Sequence, residues 1–133
     1  MNTKIIMTAS AIILGITGIV LTFIPDEIID YLSLEMNKTL LSLMQILGAL
    51  YFAFGMLNWM TKTSLIGGIY NRPIAVANFT HFLIAGLALT KGLISNPSSP
   101  YIIWIIGIFY LVFAISFGVI LFRHPISETK FEG

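Results

Sequence analysis

A chain of 133 residues has room for one domain, and 57% apolar against 10% charged side chains excludes a water-soluble one, which carries about 25% charged residues. A net charge of +1 without a basic patch argues against nucleic acid as a partner. The absence of cysteine excludes disulfides, thiol redox chemistry and thiolate metal sites.

The first apolar stretch runs from Ile5 to Ile24, between Lys4 and Pro25. It is longer than the roughly 7–15 residues of a signal-peptide core. Its small residues Ala9, Ser10 and Ala11 come at its start rather than behind it. It is therefore read as a retained membrane-spanning helix, about 20 residues at 1.5 Å rise. Residues Pro25 to Thr39 follow as a connection with its own pattern. Pro25 suits a first helical turn, and Asp26 and Glu27 complement the positive end of the helix. Ile28, Ile29 and Leu32 oppose Asp26, Glu27 and Asp30, which predicts a short amphipathic helix in the interface. The plainer alternative is a turn with partly buried apolar residues.

A second span is expected from Leu40 to Met60, between Lys38 and Lys62. The loop Thr61 to Arg72 contains Gly67-Gly68, a turn signal, and Pro73 is placed to open the next helix. Arg72 is a candidate for a lipid headgroup phosphate, with a simple topology anchor as the alternative. The third span, Pro73 to Thr90, is the weakest, being short and carrying Asn78, Thr80 and His81. Ser95 to Pro100 reads as a turn. The fourth span is Tyr101 to Phe122, and residues 123–133 form a short polar tail. No Lys, Arg, Asp or Glu lies inside any of these spans. Backbone polar groups in lipid must be satisfied within the segment, so the spans are helices.

Lys and Arg distribution sets orientation. Lys4, Lys62, Arg72, Arg123 and Lys130 fall on one side, Lys38 and Lys91 on the other. This places both termini and the middle loop in the cytoplasm. Tyr101 and Trp104 are expected at the outer interface and Trp59 at the inner one. The expected fold is an all-α integral membrane protein, a single domain spanning residues 1–133 and built as a four-helix up-down bundle in the inner membrane.

Small residues let helix backbones approach in lipid. The first helix offers Ala11, Gly15, Gly18 and Thr22, the second Gly48 and Gly55, the third Ala77, Ala85, Ala88 and Gly92, and the fourth Gly107, Ala114 and Gly118. These faces would join the spans to one another or to a second copy of the chain.

Polar groups inside a membrane are costly and mark candidate sites. Ser10, Asn58, Asn78, His81 and Ser116 all fall within the cytoplasmic half of their spans, about 6 to 13 Å in from the flanking Lys or Arg. Asn78 and His81, three residues apart, share one helix face. One reading is a pocket open to the cytoplasm, with His81 as proton carrier or ligand anchor, Asn78 and Asn58 as hydrogen-bond partners, Ser10 and Ser116 nearby, and Trp59 and Tyr51 as walls. The other is interhelical hydrogen bonding, worth roughly 0.6–2 kcal/mol per bond. No catalytic residue is assigned. His81 and His124 are too far separated to suggest a metal site. The chain lacks a phosphate-binding glycine loop, a nucleophile elbow and an intramembrane acid, which disfavours nucleotide chemistry and proton-driven transport.

The layout resembles the DoxX-like group of small four-helix bacterial membrane proteins. The resemblance rests on the Gly-rich first helix ending in Pro25, the stretch Asp26 to Leu32, Leu47-Gly48-Ala49 through Gly55 to Asn58-Trp59, and Ala77-Asn78 with His81-Phe82. Some members look like subunits of membrane oxidoreductase or quinone-linked systems. No cofactor motif accompanies the resemblance here, so no cofactor is expected. The reading that follows is a binding or accessory protein that holds a lipid, quinone or other apolar molecule, or a partner subunit. A small membrane enzyme using His81 as acid or base on a hydrophobic substrate is the alternative, and a channel or transporter the third.

Overall fold

The computed structural model describes residues 2–64, 66 and 69–123. The Gly67-Gly68 turn, His124, Lys130 and the rest of the tail lie outside the described residues. All regular structure among the described residues is helical: α1 (Thr3–Phe23), α2 (Pro25–Tyr31), α3 (Lys38–Thr61), a 3-10 turn (Ile69–Asn71), α4 (Arg72–Ser95) and α5 (Tyr101–Phe122). Four of these, α1, α3, α4 and α5, are long and apolar enough to cross a membrane. At 21 to 24 residues and 1.5 Å per residue they reach about 31 to 36 Å, against a hydrocarbon core of about 30 Å.

The helix starts follow from local chemistry. Asn2 caps α1 by accepting from the Lys4 N–H at 3.1 Å, and Asn37 caps α3 by accepting from the Leu40 N–H at 2.7 Å. Each satisfies one of the first N–H groups, which have no partner inside the helix. Pro25 and Pro73 occupy first-turn positions of α2 and α4, where the missing N–H costs nothing. The short helix expected after the first span is present, with Ile29 buried and Asp26, Glu27 and Asp30 exposed. It closes on a left-handed residue, Ser33, at φ 54°. The Leu34 N–H reaches the Ile29 carbonyl at 3.0 Å and the Ser33 N–H reaches Asp30 at 3.0 Å, the bond pair of a Schellman terminus.

The third span is longer than Pro73 to Thr90. Helix α4 continues past Lys91 to Ser95, because the Lys stem can lie along the helix while its amine reaches polar surroundings. The added turn buries Leu93, whose Cδ1 lies 3.2 Å from where a Cβ on Gly107 would stand.

Contacts divide the chain into two compact units, Met1–Thr63 and Ser64–Gly133. In the first, α1 and α3 run antiparallel and α2 packs on both. The small residues expected on α1 and α3 make this contact. A Cβ on Gly55 would sit 2.8 Å from the Gly15 nitrogen and 3.0 Å from the Ala11 carbonyl oxygen, and one on Gly18 would sit 2.7 Å from the Gly48 carbonyl oxygen. Backbone therefore lies directly on backbone, with no room for a methyl group.

In the second unit, α4 packs against α5 by different means. The buried residues of α4 are Ala75, Asn78, Phe82, Gly86 and Leu93, while Ala88 and Gly92 are exposed. The face expected from Ala85, Ala88 and Gly92 is thus displaced by one centred on Phe82. Its ring stacks on Phe113 at 4.9 Å and Phe117 at 5.7 Å and meets Tyr110 edge-on at 5.2 Å. The α5 face, with Gly107 and Ala114 buried, is as expected; Gly118 faces the Phe79 ring, 3.1 Å from a Cβ position.

Side-chain hydroxyls along the long helices bond to their own backbones. Thr8, Thr22, Thr61, Thr90, Ser95 and Ser116 each donate to the carbonyl four residues earlier, at 2.7 to 3.0 Å.

Candidate functional site

The residues singled out by sequence fall into two groups, one in each unit. Ser10, Tyr51, Asn58 and Trp59 belong to the first, and Arg72, Asn78, His81 and Ser116 to the second.

In the first unit, Ser10 and Asn58 are fully buried. The Asn58 amide donates to the Ser10 hydroxyl at 3.0 Å, and Ser10 donates to the Met7 carbonyl at 3.0 Å. The interhelical hydrogen bond expected of these polar residues is therefore present between α1 and α3. Next to this pair an open groove of about 230 Å³ runs over the close α1–α3 contact, lined by Ala11, Ile12, Gly15, Phe52, Gly55, Met56 and Trp59. Gly15 shapes it: a Cβ there would meet nothing within 4 Å, although its backbone touches Gly55. The missing side chain leaves open space on one side and allows close contact on the other. Ile12, Phe52, Met56 and Trp59 are all exposed. Trp59 also carries Lys62, whose amine lies 2.9 Å from the ring centroid, a cation–π contact worth about 0.5–1 kcal/mol at an exposed site. Tyr51 is half-buried and is not among the groove residues.

In the second unit, Asn78 is fully buried and its amide donates to the Ile74 carbonyl at 3.0 Å on its own helix. His81 is half-buried, with its ring edge-on to Phe82 at 5.1 Å and tilted against Tyr110 at 5.5 Å. The histidine sits beside an aromatic cluster that sequence periodicity did not single out. Ser116 donates to the Val112 carbonyl at 2.8 Å, and Arg72 is exposed at the start of α4.

The groove residues Ile12, Gly15, Phe52 and Met56 were not identified as a site from sequence. Gly15 stood out only as a packing residue, and nothing in its spacing says that one of its sides is empty. The Trp59–Lys62 pair was legible in principle, since residues three apart are neighbours on a helix.

Comparison with protein-family profiles, characterised proteins and solved structures finds no significant match to this chain.

Proposed function

We propose that the chain is a four-span protein of the bacterial inner membrane, of the DoxX-like kind, which holds an apolar molecule along its first helical hairpin. In this reading the spans alternate in direction with both termini cytoplasmic, as the Lys and Arg distribution favours. The observation that carries the binding role is the groove between α1 and α3. Its lining from Ala11 to Trp59 is apolar and free of ionisable groups, which suits an acyl or isoprenoid chain. The Ser10–Asn58 pair closes the helix contact beside it and uses the Ser10 hydroxyl for structure.

The test is extraction and mass spectrometry of what co-purifies with the protein. Gly15→Leu fills the groove without entering the helix contact, so a bound lipid or quinone should fall several-fold in amount. An unchanged profile in that variant overturns the reading. Tags at the two ends reporting from different compartments overturn the topology.

A further inference from the structure

We infer that the groove of the first hairpin selects an anionic phospholipid, with the acyl chain along Gly15 and Met56 and the headgroup at Lys62 and Lys4. This rests on the groove being a lipid site, as proposed above, and adds the chemistry of the headgroup.

The argument is one of charge placement. The groove ends at Trp59, and the Lys62 amine lies against that same ring. The antiparallel register brings a second cation to this end. Asn58 is bonded to Ser10. From that level Lys62 lies about 6 Å further along α3, and Lys4 about 9 Å further along α1. The two amines therefore belong to the same end of the hairpin. The acidic residues of this unit, Asp26, Glu27, Asp30 and Glu35, all occupy the connection at its opposite end, about 30 Å away along the helix axis. No carboxylate from the first unit competes for the two lysines at the mouth of the groove.

An apolar trough leading to two cations matches a lipid with acyl chains and a net negative headgroup. A cation near an anionic headgroup contributes about 1 kcal/mol, which corresponds to roughly five-fold enrichment per lysine. A zwitterionic headgroup offers the same chain but little net attraction. The Trp59 contact adds to this by holding Lys62 where the groove opens.

Trp59 itself provides the readout. The chain has two tryptophans, so Trp104→Phe leaves Trp59 as the sole tryptophan, read by excitation at the red edge where tyrosine does not absorb. The protein is reconstituted in phosphatidylcholine vesicles containing a minor fraction of dibrominated phosphatidylglycerol or, in parallel, dibrominated phosphatidylcholine. Bromine on the acyl chain quenches a tryptophan it touches. Phosphatidylglycerol should associate roughly 25-fold more strongly than phosphatidylcholine by this measure, about five-fold for each lysine, and Lys62→Gln together with Lys4→Gln should bring the two lipids to parity. Equal quenching by both lipids in the parent protein, or a preference that survives loss of both lysines, overturns the headgroup assignment. Gly15→Leu separates the underlying reading: it should lower quenching by both lipids alike. If it changes neither, the groove is not the lipid site and the binding proposal itself falls.

Discussion

The Asn58 amide donates to the Ser10 hydroxyl across the α1–α3 contact, and that hydroxyl donates in turn to the Met7 carbonyl one turn back, each bond 3.0 Å long. Both side chains are fully buried, so the pair fixes the register in which the two helices meet. Removing the hydroxyl takes away the acceptor of an interhelical bond. Ser10→Ala is expected to cost about 1 kcal/mol, and the double-mutant cycle with Asn58→Ala to show a coupling of about 0.6–1.7 kcal/mol. Reversible unfolding in detergent mixtures measures both. Ser116→Ala removes only a bond within its own helix and should change stability by less than about 0.5 kcal/mol; a larger loss there would contradict the geometry.

Two glycines of the first hairpin should respond in opposite directions. Gly55→Ala places a methyl group 2.8 Å from the Gly15 nitrogen, against backbone that moves only if the helices separate. A loss of about 2 kcal/mol or more is expected, in the range of overpacked cores. Gly15→Ala meets open space and should gain about 0.5–1 kcal/mol from the better helix former. Comparing the two variants in one thermal-stability assay tests whether the contact is as one-sided as the structure has it.

Ser33 holds the left-handed position that ends α2, at φ 54°. A residue with a Cβ pays roughly 1–2 kcal/mol there, and glycine does not. Ser33→Gly is expected to stabilise the α2 terminus by about 1 kcal/mol, partly offset by the looser unfolded chain. Amide exchange at Leu34, whose N–H bonds to Ile29, should slow; faster exchange would show that the turn is not of this kind.

Phe82 is the centre of the second hairpin, fully buried among Tyr110, Phe113 and Phe117. Phe82→Ala should cost about 3 kcal/mol through lost packing. Ala88→Leu, on an exposed position of the same helix, should be close to neutral. Equal effects would mean that α4 packs through its alanine face after all.

Most of the helical plan is readable in the residues because it follows from the exchange of water for hydrocarbon. Charge-free stretches of sufficient length bracketed by Lys, Arg and Pro locate the four long helices, and Pro25 with Asp26 and Glu27 locates the short one. The packing of α1 on α3 is equally legible, since Gly18, Gly48 and Gly55 have no other common use. The α4 face is different. A small residue permits close approach but does not require it, and the gain from stacking Phe82 on two aromatic rings outweighs what Ala88 and Gly92 offer. Periodicity cannot weigh those two gains, because Phe82 and Ala85 are both acceptable neighbours for a helix. The groove was invisible for a related reason. It depends on which side of Gly15 is covered, and sequence records only that the side chain is missing.

The six hydroxyls that close on their own helices bear on how such a chain is assembled. A serine or threonine already satisfied by its own backbone brings no unmet polar demand into hydrocarbon, so these hydroxyls require no neighbouring helix at the moment of insertion. Even Ser10 arrives content, with Met7 as acceptor. The Asn58–Ser10 bond can form only once α3 emerges, and α1 is by then waiting in the bilayer. Synthesis from the N-terminus thus delivers the acceptor before the group that needs it, and pairing of the first two spans follows the order of translation.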